Sequence, residues 1–392
     1  MSENTGSKGV NGAQSLIRTL VACGVDTCFT NPGTSEMHFV AALDSVPEMR
    51  GVLGLFEGVV TGAADGYARM AERPAATLLH LGPGLGNGLA NLHNARKGRV
   101  PVVNIVGDHA TYHKQYDAQL ESDIDTVARN VSAWIRRSEA TAEVGRDAAE
   151  TVVAAVGPPG QVATLILPAD VSWSPGGVVA EPAVGFPPAP PDADVVDAVA
   201  KALRSGEPVG LLLGGTALRE PGLVAASRLA NATGARLVAE TFPTRLERGA
   251  GLPPIDRLAY LAEFASAQLE GLRHLVVVDA KAPVSFFAYP GKASYLVPDG
   301  CDVHTLVAPG GDAAGALEAL ADLVGAPGDA ATRQAADRPD LPTGALTAEA
   351  VARAVGALLP EGAIVSDEGN TSSLFAPGLT AGAPRHDWLT LT

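Results

Sequence analysis

Residue types able to do chemistry gather in a few short stretches. In LGLFEGVVTGAADGYARMA, residues 53–71, a single acid, Glu57, stands among Leu55, Phe56 and a run of Gly, Val and Ala. Apolar neighbours penalise a charged carboxylate, which suits an acid that must gain and lose a proton. The structural alternative is a helix N-terminal acid satisfying the macrodipole. In CFTNPGTSEMHF, Pro32 and Gly33 set a tight turn, and Thr34 or Ser35 is placed to cap a helix starting at Glu36. That loop is either a plain capped connection or a place where the Thr34 hydroxyl and backbone N–H groups meet a ligand. LLHLGPGLGNGLANLHNA sets His80 at a strand end, ahead of Gly82, Gly84, Gly86 and Gly88. Such glycines let backbone approach a ligand and present N–H donors at a helix start. Pro83 interrupts the dinucleotide fingerprint they would otherwise suggest, and no suitably placed acid follows. GDHATYHKQ brings His109 and His113 to one face, although a histidine pair in a loop is usually only solvated.

Each stretch follows a strand-like run, so the elements that must position it can be read as well. Over residues 11–172, VDTCFT, GVLGLF, AATLLHL, PVVNIVG and QVATLIL alternate with segments of helical period. That alternation predicts an α/β fold with mostly parallel sheets covered on both faces. Ligands of such folds sit where strand C-termini meet loops and helix N-termini. A Pro- and Gly-rich linker is expected over 173–193, a second α/β domain over 194–325, and a second linker over 326–345. Residues 346–392 are too few for an independent core and read as the start of a third α/β domain. The first eight residues read as a tail.

Composition narrows the class. A chain of 392 residues with 46% apolar and 18% charged residues is globular and needs more than one core. A formal charge of −15 with no basic patch argues against a nucleic-acid partner. Cys23, Cys28 and Cys301 form neither a CxxC pair nor an even disulfide set, and no signal-peptide core or membrane span is visible. A cytoplasmic location is expected, and the glycosylation-like triplets at Asn130, Asn231 and Asn370 then count as chance.

Taken together, FTNPGTSE, FEG, ADGYAR, GPGLGN, ANLHNA, PVVNIVGD and WIRRSEAT, in this order over residues 11–170, resemble a known family. It is the thiamine-diphosphate-dependent group of acetolactate synthase, benzoylformate decarboxylase and pyruvate decarboxylase. LLLGG, VAET and DAKAPVSFFAYPG resemble its central domain more loosely, and GAIVSDEGNTS to DWLTLT resembles the entrance to its diphosphate domain. The resemblance implies three domains of doubly wound parallel sheets: a pyrimidine-binding domain over 1–172, a central domain over 194–325, and a diphosphate-binding domain only begun over 346–392.

The same resemblance implies roles. Glu57 matches the glutamate that hydrogen-bonds the cofactor's aminopyrimidine and works as a proton relay. Pro32, Gly33, Asn87 and Glu368 become further cofactor-binding candidates, with Asp367 and Asn370 beside the last. His80 matches the active-site histidine of benzoylformate decarboxylase and Thr34 its substrate-binding serine; His113 is a further substrate-binding candidate. The second catalytic histidine of that enzyme aligns with Phe287, and QYDAQLESD departs from the acceptor-site residues of acetolactate synthase at Tyr116, Gln119 and Leu120.

The implied reaction is decarboxylation of a small 2-oxo acid, with carboligation of the enamine to a second carbonyl compound, acetolactate synthase-like. The alternatives are an aryl 2-oxo-acid decarboxylase releasing an aldehyde, and a non-catalytic fragment or partner subunit. Thiamine diphosphate and Mg²⁺ are the implied cofactors, and FAD is not expected. No metal ligand is expected within this sequence, because the GDG…NN pattern that holds Mg²⁺ in the family lies beyond it; alone, the chain is expected to be inactive. The implied assembly is a homodimer or homotetramer with active sites between subunits, without nucleic acid or membrane.

Overall fold

The computed structural model describes residues 9–185, 187–369 and 371–392, so the expected N-terminal tail and Asn370 lie outside the described residues. The chain divides into two compact units, Met1–Pro187 and Pro188–Thr392.

The first unit runs α1 (Gly12–Ala22), β1 (Thr27–Asn31), α2 (Met37–Leu43), β2 (Arg50–Leu53), α3 (Glu57–Ala71), β3 (Ala75–Leu79) and α4 (Leu81–Lys97). It continues with β4 (Val102–Asp108), α5 (Ile124–Ala128), β5 (Trp134–Arg137), α6 (Val144–Val156), β6 (Val162–Pro168) and α7 (Ala169–Trp173). The sheet order is β2-β1-β3-β4-β6-β5, and every pairing is parallel. β3, β4 and β6 are buried along their whole length, which is why they read as nearly continuous apolar runs. Leu16 and Leu20 of α1 pack with Val144 and Val152 of α6 in one core, whereas Val60 of α3, Leu85 of α4 and Ile124 of α5 share another. Those two cores lie on opposite faces of the sheet, the doubly wound arrangement expected.

Three local readings need correction. WIRR forms the edge strand β5, which its charged residues hid. Helix α4 already begins at Leu81, so Gly82 and Gly84 lie inside it together with Gly86 and Gly88 and not ahead of its start. Their value is close approach: a Cβ at Gly88 would lie 2.9 Å from Thr61 Cγ2 and one at Gly82 would lie 1.9 Å from Ser122 Oγ. Finally, neither Thr34 nor Ser35 caps a helix. Thr34–Glu36 is a 3₁₀ turn, and Gly33 N–H donates to the Glu36 carboxylate instead.

The second unit opens with α8 (Ala193–Arg204), β7 (Val209–Leu213), α9 (Glu220–Thr233), β8 (Arg236–Ala239), β9 (Leu246–Arg248), β10 (Asp256–Arg257) and α10 (Ala262–Leu269). Then follow β11 (His274–Val278), β12 (Asp302–Val307), α11 (Ala313–Val324), α12 (Ala348–Leu358), β13 (Ala363–Asp367), α13 (Ala376–Leu379) and β14 (His386–Thr390). A parallel sheet of order β10-β8-β7-β11-β12 forms its centre. β13 pairs in parallel with β14, and β14 pairs antiparallel with β9. Trp388 and Leu246 thereby join the core that contains Leu229 and Leu317.

Candidate active site

Glu57 is the first residue of α3, just beyond the C-terminal end of β2. Asn87 Nδ2 of α4 donates to its Oε2 at 3.0 Å, while Oε1 meets no protein donor among the described residues. The separation of the two helices is fixed by small residues. Thr61 Oγ1 donates to the Gly88 carbonyl at 3.0 Å, and Asn91 Nδ2 donates to the Gly58 carbonyl at 2.7 Å. A Cβ at Gly62 would approach Asn91 Nδ2 to 2.9 Å. Glycine at these positions brings the backbones together and leaves the Glu57 carboxylate no lateral freedom. One expectation fails here. Leu55 is 91% exposed and Phe56 and Val59 also face outward, so the apolar neighbours do not wall in the half-buried carboxylate. A carboxylate on the first turn is favoured by the helix dipole whatever else it does.

His80 sits at the C-terminal end of β3, and the following Leu81 is fully buried with φ of 51°. A left-handed leucine costs about 1–2 kcal/mol, so tight packing must hold this turn. The His80 ring lies on Gly33, where a Cβ would come within 2.3 Å of it. Its Nδ1 pairs with Glu36 Oε2 at 2.7 Å. Glu36 is 2% exposed, and its other oxygen, Oε1, is buried against Gly107 without a partner among the described residues. Burial pushes the Glu36 carboxyl above its ordinary range, while the His80 charge and the Gly33 N–H pull it back. An oxygen without a donor is less costly on a neutral carboxyl than on a carboxylate. Sequence reading missed this dyad because Glu36 looked like a helix starter. The available signal was an acid three residues after a Gly turn.

Glu57 and His80 share a neighbour. A Cβ at Gly84 would stand 3.5 Å from both Glu57 Oε1 and His80 Cβ. Around them, Pro32 and Gly33 are half-buried and Thr34 is exposed on the loop after β1. His109 and His113 follow β4, with ring centroids 5.4 Å apart, and His113 is exposed beside Tyr116. Their loop is anchored by an ion network around the buried Asp108 that the sequence did not reveal. The Asp108 carboxylate takes Lys114 Nζ at 3.0 Å and Arg137, and Arg137 also reaches Asp125 at 2.6 Å. His109 Nε2 is buried without a partner among the described residues. In the second unit, Glu368 is exposed after β13, whereas Asp367 accepts from Trp388 Nε1 at 3.1 Å and from Gly369 N–H at 3.1 Å. Phe287 belongs to an aromatic cluster with Phe242, Tyr260, Phe286 and Tyr289. Among the described residues no group of three or more His, Cys, Asp or Glu side chains could hold a metal, and no helix is long and apolar enough to cross a membrane.

The donor set fits the pyrimidine half of thiamine diphosphate: a fixed carboxylate with an unspent oxygen, a supporting amide, and glycines that leave space beside them. Comparison with known proteins agrees. Residues 10–128 match the family described as thiamine pyrophosphate enzyme, N-terminal TPP binding domain. The "Putative acetolactate synthase large subunit IlvX" of Mycobacterium tuberculosis is 66% identical over 384 residues, spanning 98% of this chain and 73% of that protein. Benzoylformate decarboxylase of Pseudomonas aeruginosa is 33% identical over 159 residues, which are 40% of this chain and 30% of that enzyme. Among solved structures, the 4-hydroxybenzoylformate decarboxylase of Rhodococcus jostii RHA1 superposes with a TM-score of 0.81 at 20% identity, covering 97% of this chain and 75% of its own. With its α/β fold of parallel sheets, this chain belongs to the thiamine-diphosphate-dependent enzymes related to acetolactate synthase and benzoylformate decarboxylase.

Proposed function

We propose that this protein decarboxylates a 2-oxo acid and passes the acyl unit to a second carbonyl compound, as an acetolactate synthase-like enzyme. The observation that carries the reading is the fixed Glu57 carboxylate, with Oε2 held by Asn87 and Oε1 unspent, sharing Gly84 with His80. Bound thiamine diphosphate supplies the nucleophilic carbon and the electron sink for loss of CO₂. Glu57 holds and returns a proton at Oε1, and Asn87 keeps that oxygen aimed. His80 spends Nδ1 on Glu36, which leaves Nε2 to hold or deliver a proton to the substrate. Thr34 and His113 are assigned to substrate binding, and Pro32, Gly33 and Glu368 to the cofactor. Mg²⁺ enters as the counter-ion of the cofactor's diphosphate.

The relative named an acetolactate synthase large subunit, at 66% identity, supports carboligation over aldehyde release. Leu53, Leu55, Phe56 and Val59 form an exposed apolar rim beside Glu57. Apolar surface of that kind beside a reactive acid supports a homodimer or tetramer that closes the site between subunits. A cytoplasmic location is part of the same reading. The deciding experiment supplies thiamine diphosphate and Mg²⁺ with either pyruvate or benzoylformate and identifies products. Acetolactate from pyruvate is expected. Benzaldehyde without acetolactate would replace the carboligase reading by the aryl decarboxylase, and absence of calorimetric cofactor binding would sink both.

A further inference from the structure

The second unit has a topological switch point of its own at the C-terminal edge of its sheet. Strand order reverses between β7 and β11, since β7 is followed in sequence by β8 on its other side. Doubly wound sheets offer nucleotides a site at such a switch point, where glycine-rich loops turn their N–H groups toward phosphate. Here the loop Gly214-Gly215-Thr216 follows β7 and Asp279 follows β11.

Those donors are already engaged by protein carboxylates. Thr216 N–H donates to Asp279 Oδ2 at 2.7 Å and its hydroxyl donates to the same oxygen at 2.9 Å. Gly310 N–H, beyond β12, donates to Asp279 Oδ1 at 2.9 Å. Gly215 N–H donates to Glu240 Oε1 at 3.2 Å, from the residue that follows β8. Asp279 is 3% exposed and takes φ of 49°, a conformation aspartate tolerates better than most residues. Gly215 has φ of 46°, and a Cβ there would lie 2.2 Å from Asp279 Oδ2, so carboxylate and loop are in direct contact. Asp279 thus occupies the position a phosphate would need, and a diphosphate would also face two carboxylates of its own charge sign.

We infer that Asp279 is a built-in anionic occupant of the switch-point cradle, and that the second unit takes neither a flavin nor an adenine nucleotide there. The residues present do not fit the diphosphate of FAD. This conclusion is independent of the reaction proposed above, because it concerns another sheet and another ligand class.

The test titrates the full chain with FAD by flavin fluorescence and with ADP by calorimetry, then repeats both with Asp279→Ala and Asp279→Ser. Wild-type protein is expected to show no saturable binding. A variant that keeps the wild-type circular dichroism is expected to show saturable ADP binding at least about tenfold tighter than the weakest binding the wild-type titration can detect, because the cradle donors come free and a like charge is gone. Saturable nucleotide binding by the wild type that Thr216→Val abolishes would overturn the inference, as would a folded Asp279 variant with no gain. If both variants fail to fold, the wild-type titration still decides.

Discussion

The two parallel sheets end in opposite ways. At the C-terminal edge of the first, Glu57 leaves Oε1 without a protein donor, and His80, tied down through Nδ1, leaves Nε2 for something else. At the same edge of the second, Asp279 takes the N–H and hydroxyl of Thr216 and the N–H of Gly310, and Glu240 takes the N–H of Gly215. One strand-loop-helix pattern therefore builds either a place for a ligand or a finished piece of structure. The difference lies in whether the polar atoms at the edge satisfy one another.

Substitutions on the two edges should behave accordingly. Glu57→Gln is expected to lower kcat by about 10²–10⁴-fold while leaving the melting temperature near wild type, since the proposed relay acid is lost and its hydrogen bond to Asn87 can be rebuilt. Near-normal turnover would put the first edge in the same structural class as the second. His80→Ala should cost about 10²-fold in kcat with a smaller change in cofactor affinity, read by steady-state kinetics beside calorimetry. Gly215→Ala should do the reverse. It forces a Cβ onto Asp279 and places a side chain at positive φ, so a loss of about 1–3 kcal/mol in urea unfolding is expected, without weaker thiamine diphosphate binding. If that variant instead loses cofactor affinity at wild-type stability, the proposed contrast between the edges breaks.

The smallest effect concerns pH. Burial raises the folded-state pKa of Glu36 above that of an unfolded glutamate, so the folded protein binds this proton more tightly. Stability from this group is therefore highest below the ordinary glutamate range and declines as pH rises through the raised folded value. Glu36→Gln should flatten that part of the profile, measured by urea titrations at a series of pH values. A slope unchanged by the substitution would mean that the Glu36–His80 pair does not govern the titration.

Much of this was legible in the sequence, and the gaps have physical causes. Fully buried β3, β4 and β6 announced themselves as apolar runs, and Glu57 stood out as a lone acid. β5 did not, because an edge strand with Arg136 and Arg137 carries no apolar alternation strong enough to see. That Gly82 and Gly84 already lie inside α4 did not show, because what demands glycine along this helix lies elsewhere, at Ser122 for Gly82 and at Thr61 for Gly88. Glu36 with His80 and Asp279 with Thr216 are pairs separated by 44 and 63 positions. Residue spacing along a chain carries no trace of such partners.

The glycine seam between α3 and α4 also constrains how this protein can change over time. At Gly62 and Gly88 the helices meet through only the Asn91 and Thr61 side chains, which leaves few positions whose replacement could re-aim Glu57 by small steps. An added methyl at Gly62 or Gly88 would crowd Asn91 or Thr61, the side chains that tie the two helices together. Novelty in what the protein accepts should therefore arise in the loops bearing Thr34 and His113, while the helix pair is inherited as a unit.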